Sequence, residues 1–150
     1  MRRELVSPSV EFEFEGRTLT PTDRLLIGAE TTLLGRELRI FDTHLLAFFM
    51  LKSSSEQHLS QRKTVLEVLR EKSGPTILAG DFNVSNHQSL LDQFAAGGYT
   101  SAQAQEITWR RRPYVLDHIF HSPELRLLHQ QVVPTMASDH HVVVAELAFR

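Results

Sequence analysis

Apolar and polar positions alternate with period two in several stretches of the chain and recur with helical spacing in two others. Val10 to Phe14 sets Val and Phe against Glu, the pattern of a half-buried strand. Leu25 to Leu34 and Glu37 to Thr43 read as two strands joined at Gly35-Arg36, a hairpin. The stretch "SSSEQ" (53–57) offers Ser and Glu/Gln at capping-box spacing and predicts a helix start. Leu59, Leu66 and Leu69 would line one face of that helix, with charges opposite, until Gly74-Pro75 stops it after about Lys72. Pro75 to Ala79 is expected to be a strand buried on both faces. Ser85 and Gln88 repeat the capping-box spacing ahead of a short helix that ends at Gly97-Gly98. Further strands are expected near Ile107–Trp109, Val115–Phe120, Leu125–Val133 and His141–Phe149. Helices alternate with strands early and antiparallel strands dominate late. The expected class is therefore α/β (α+β): a mixed, largely antiparallel sheet with helices on one face.

Composition narrows this picture in a few ways. The 150 residues suit one domain, 1–150, and 41% hydrophobic with 23% charged residues is an ordinary globular balance. The chain has no cysteine, which excludes disulfides and thiolate metal sites. The longest apolar run, Leu45 to Leu51, is too short to span a bilayer, so no membrane partner is expected. The start, "MRRELVSPSV", lacks the apolar middle of an export signal, which points to the cytoplasm. With 16 Lys and Arg against 18 Asp and Glu, bulk charge gives no footprint for nonspecific nucleic-acid binding.

The chemistry lies where strands begin and end. "PTILAGDFNVS" closes an apolar run on Asp81 and Asn83, which on extended backbone would point to one face. In open α/β sheets ligands gather at such strand ends. "RIFDTHL" ends on His44, "YVLDHIF" sets Asp117 in an apolar strand, and "MASDHHVVVAEL" places Asp139 and His140 before another. Each has a plainer reading: a turn at Asp81, a structural histidine at 44, a buried ion pair at Asp117, a turn cap at Asp139. Together they set carboxylates and imidazoles at four strand ends. Aspartate oxygens suit a hard cation such as Mg2+ or Mn2+, and imidazole beside carboxylate suits acid–base work near neutral pH. "TWRRRPY" (108–114) reads either as a solvated loop or as a site where Arg111 grips phosphate and Trp109 stacks on a base.

In this order "THL", "GDFN", "LDHIF" and "SDHHVVVAEL", spanning Phe41 to Leu147, resemble the endonuclease/exonuclease/phosphatase superfamily with its DNase-I-like fold. The resemblance implies a divalent-metal-dependent phosphodiesterase or nuclease, most readily acting on DNA. It implies that Asp81 orients the attacking water or a metal and that Asn83 holds the scissile phosphate. Asp139 would be a metal ligand with Asp81. His140 would contact phosphate or act as base, Asp117 would orient it, and His44 would face the phosphate. Arg24 would match an arginine aimed at the phosphate. Phosphomonoester or lipid phosphodiester hydrolysis would use the same core.

In the family so resembled, a strand ending in Asn and a "QE" motif with the principal metal-ligand Glu come first. The glutamates ahead of "THL" are Glu4, Glu11, Glu13, Glu15, Glu30 and Glu37, and none follows a Gln. The resemblance is thus to the C-terminal half of an α/β/β/α sandwich, lacking the N-terminal Asn and Glu motifs. Such a half would leave an apolar sheet face open, so a homodimer packing sheet to sheet is expected. A catalytically inactive half-domain, serving as an interaction module or remnant, is the competing reading.

Overall fold

The computed structural model describes residues 1–103 and 105–150. In chain order the elements are β1 (Arg2–Leu5), β2 (Phe12–Phe14), β3 (Arg17–Leu19), β4 (Arg24–Leu33), β5 (Arg36–His44), a 3₁₀ turn (Phe48–Leu51), α1 (Ser60–Arg70), β6 (Thr76–Asp81), α2 (His87–Ala96), β7 (Thr100–Ser101), β8 (Asp117–His121), β9 (Leu125–Val133) and β10 (Val142–Phe149). Six strands form one sheet in the order β1-β4-β5-β6-β8-β7, and β9 with β10, and β2 with β3, form separate two-stranded sheets. Among the described residues only β5 and β6 run parallel, and α1 lies in the crossover that a parallel pair requires. The sheet is therefore mixed and mostly antiparallel, as the hydrophobic pattern predicts.

Alternation along each strand sorts the residues into two faces. Leu26, Phe41, Leu78 and Phe120 point to one side, where they meet Val65, Leu66, Val68 and Leu69 of α1 and Leu90 and Phe94 of α2. Phe82, Phe94 and Phe120 pack with ring centroids 4.5–5.6 Å apart. Burial of side chains of this size stabilises by about 1.5–3 kcal/mol each, so this layer carries the fold. The opposite face has no helix among the described residues. The β9–β10 hairpin leans on part of it, with Leu33, Leu38, Ile77, Leu125, Leu147 and Phe149 at the seam. Ile27 and Ile40 remain 53% and 41% exposed there.

Several local expectations change in the structure. The β4–β5 turn is Leu34-Gly35, one residue earlier than expected, with both residues at positive φ (52° and 74°) as a two-residue hairpin turn requires. Neither capping box caps: α1 starts at Ser60 after a turn, α2 starts after Asn86, and neither N-cap side chain bonds the helix. Ser53 bonds Gln57 instead (3.3 Å). Ile107 to Trp109 is loop rather than strand, because Trp109 makes only isolated bridges to Tyr114 and His140. β1, β3 and β7 have no strong signal, being two to four residues long and at or outside the sheet edge.

Candidate active site

Strand register assembles the site. His44 pairs with Asp81 across β5–β6, and Asp81 pairs with Asp117 across β6–β8. Residues directly opposite on adjacent strands share a face, with Cβ atoms about 4.5–5.5 Å apart. The three side chains therefore form one lateral row at the sheet's rim, on the side away from the helices. Their neighbours Thr43, Gly80 and His118 face the helices or sit between strands. Gly80 is required where it stands: φ is +145°, and a Cβ there would overlap the Thr43 carbonyl oxygen of the adjacent strand.

His140 reaches this row from the loop before β10. Its Nδ1 lies 2.8 Å from Asp117 Oδ2, and its Nε2 lies 3.9 Å from Asp81 Oδ2. His44 Nε2 lies 3.6 Å from the same Asp81 oxygen. An ionised carboxylate only accepts, so Asp117 fixes the proton on Nδ1 and turns Nε2 toward Asp81. Thr108, fully buried, holds the two segments together. Its Oγ1 accepts from the Leu116 and Asp117 amides (2.9 and 3.0 Å), and its carbonyl accepts from the His141 amide (2.7 Å). Sequence reasoning passed over Thr108, which carries no periodic signal and stands beside a conspicuous arginine run.

Electrostatics single out Asp81. Burial, then the charge of Asp117, raises its pKa from 3.8 to about 6, against the opposing pull of His140 and the Asn83 amide. His44 is pushed below its usual value by burial first, then by the charges of Arg24 and His140. Arg24 thus acts on His44 from the start of β4, and its Nε is buried without a hydrogen-bond partner among the described residues.

The remaining candidates stand differently. The chain leaves β6 at Asp81, and Asn83 adopts φ +51°, so the same-face argument for Asp81 and Asn83 does not hold. Asn83 is buried; its Nδ2 donates to the Leu45 carbonyl (3.0 Å) and its amide to Asp81 Oδ1 (2.9 Å), so it braces the row. Asp139 does not join Asp81: its Oδ2 accepts from Trp109 Nε1 (3.3 Å) and lies 3.0 Å from Arg111 Nε. The residues placed so that they could hold a cation are Asp81, Asp117 and His140, each offering an atom within 4.8 Å of the others. Among the described residues neither Asp81 nor Asp117 has a Lys or Arg within ion-pair distance. Two converging carboxylates with unmet demand for positive charge fit a hard divalent cation.

A family model described as the endonuclease/exonuclease/phosphatase family matches residues 15–140. The chain belongs to this family. Family members are hydrolases that act on phosphate esters. A UPF0294 protein of Vibrio campbellii is 30% identical over 113 residues, covering 71% of this chain and 38% of that protein. An endonuclease/exonuclease/phosphatase family protein from Bacteroides thetaiotaomicron superposes with a TM-score of 0.71 at 20% identity, covering 98% of this chain and 66% of its own. One from Leptotrichia buccalis gives a TM-score of 0.69 at 17% identity, covering 99% and 61%. The chain thus spans under two fifths of the Vibrio relative and about two thirds or less of these structures. No helix among the described residues is long and apolar enough to cross a membrane.

Proposed function

We propose that this protein hydrolyses phosphodiesters of nucleic acid, most readily DNA, with a divalent cation of the Mg2+ or Mn2+ type. The observation that carries this reading is the row His44–Asp81–Asp117 with His140 hydrogen-bonded to its last member. Asp81 and Asp117, with His140, would hold the cation, which when bound neutralises charge on the phosphate oxygens. Asp81, whose pKa lies near 6, orients the attacking water and takes its proton. His140, its proton fixed on Nδ1 by Asp117, turns Nε2 toward Asp81 and completes the group that would hold the cation. His44, with its lowered pKa, stays neutral near pH 7 and hydrogen-bonds a phosphate oxygen. Arg111 and Trp109, joined through Asp139, stand next to His140 on the approach to this site.

The test is turnover of plasmid DNA, an abasic-site duplex and bis-p-nitrophenyl phosphate in Mg2+, Mn2+ or EDTA. Metal-dependent hydrolysis lost in Asp81→Ala and His140→Ala is the expected result. Silence on every substrate by a folded protein would establish the inactive interaction module. Turnover confined to monoesters would move the reading to a phosphatase.

We also propose that a second copy covers the open sheet face. Ile27 and Ile40, each at least 41% exposed, support a partner surface there. Light scattering at low micromolar concentration should return twice the monomer mass of 17.1 kDa, and a folded monomer would defeat the proposal.

A further inference from the structure

Next to the row of catalytic candidates lies a cleft of about 370 Å³, lined by Glu13, Glu15, Phe49, Met50, Lys52, Trp109, Arg112 and Tyr114. That volume lies within the usual range of small-molecule sites, roughly 300–1,000 Å³. Its wall is aromatic. Phe49 sits 5.6 Å from Trp109 and 5.3 Å from Tyr114, centroid to centroid, and Trp109 stacks on Tyr114. The wall is also the back of the active site. The Trp109 ring is 6.3 Å from that of His140, its backbone bridges His140, and its Nε1 holds Asp139. The 3₁₀ turn that carries Phe49 and Met50 follows directly on the strand that ends in His44. Two loops leaving the site therefore converge to build the cleft.

The rim carries two kinds of charge. Lys52 and Arg112 are exposed cations with no carboxylate in ion-pair distance among the described residues, while Glu13 and Glu15 are exposed acceptors. A long apolar tail would gain nothing from either pair. A planar ring with an exocyclic amino edge and a phosphate behind it matches all three features: ring on ring, amino N–H on carboxylate, phosphate on cation.

We propose that this cleft is the base-binding subsite for the nucleotide adjoining the scissile phosphate, with Phe49 and Tyr114 forming its aromatic wall, one ring face-on and the other edge-on to the base. The proposal rests on the phosphodiesterase reading and adds its specificity determinant, an unstacked aminated base as found in single strands or at frayed ends.

Trp109 is the chain's only tryptophan, so its fluorescence reports on this wall directly and without turnover. We would titrate the protein with deoxyadenosine 5′-monophosphate, ribose 5-phosphate and dodecyl phosphate. The base-bearing ligand should bind roughly 5- to 100-fold more tightly than ribose 5-phosphate, the range expected for one stacked base. Phe49→Leu and Tyr114→Leu, which keep the apolar bulk, should remove that preference and leave ribose 5-phosphate affinity in place. Equal affinities for the two phosphates, or dodecyl phosphate binding as tightly as the nucleotide, would overturn the proposal. A preference for the base in a protein that hydrolyses nothing would support the subsite while removing the hydrolase reading, so the two failures are distinct.

Discussion

Asp117 and His118 are neighbours in sequence and opposites in environment. Asp117 looks out from β8 onto the open face, where it holds His140 and crowds Asp81. His118 looks in, 1% exposed, between Phe82 and Phe120, with its ring nitrogens on Ser101 Oγ and the Val115 carbonyl. Burial lowers the His118 pKa to about 4, so it is held neutral, a polar residue made into core. Electrostatic stress is relieved by hydrogen bonds on the inner face and left standing on the outer one. Two carboxylates crowded together at a sheet rim are a feature that functional sites share.

That contrast can be broken from either face. On the outer face, Asp117→Ala and His140→Ala should each lower kcat on phosphodiesters by about 10³-fold while moving the melting temperature by only a few degrees. A large loss of stability in either variant would show that the row is structural. Between the faces, Gly80→Ala should cost on the order of 3 kcal/mol in urea unfolding, because a Cβ must displace the Thr43 carbonyl and φ is wrong for alanine. On the inner face, His118 binds a proton more weakly folded than unfolded. Stability is therefore fully present above pH 6.5 and is lost as pH falls toward 4, by about 3 kcal/mol for a pKa lowered from 6.5 to about 4. His118→Gln should flatten that dependence in denaturation series run at pH 7 and pH 4.5. The smallest effect has the opposite sign. Asp81→Asn should abolish turnover yet stabilise the fold by on the order of 1–2 kcal/mol at pH 7, since it removes a carboxylate whose ionisation burial and Asp117 disfavour. Calorimetry showing Asp81→Asn less stable than the parent chain would mean that the carboxylate is satisfied after all.

Much of this was legible in the sequence because period-two alternation and motif position are local properties. β4, β5, β6, β9 and β10 follow the apolar pattern to within a few residues, and His44, Asp81, Asp117 and His140 were marked by standing at strand ends. What the sequence hid is set by tertiary context. Asn83 was misplaced because the same-face rule assumes extended backbone, and the chain turns left-handed at that residue. Asp139, expected beside Asp81, bonds Trp109 and Arg111, and nothing local says that Trp109, thirty residues away, meets its carboxylate. The capping boxes failed for a related reason. Ser53 and Gln57 found each other, and Gln88 of the second box donates to Asp92 further along α2, so neither closes a helix end. The bracing Thr108 stayed invisible because its work is done by three bonds to residues seven or more positions away.

The lateral row has one further consequence. Its members sit on three strands joined by a parallel and an antiparallel ladder, and a slip of one residue in either ladder would turn a member through the sheet to the helical side. Partial assembly therefore leaves the proposed site incomplete until the last correct strand pairing. In a refolding time course, recovery of catalysis and burial of Phe120 should rise on the same curve.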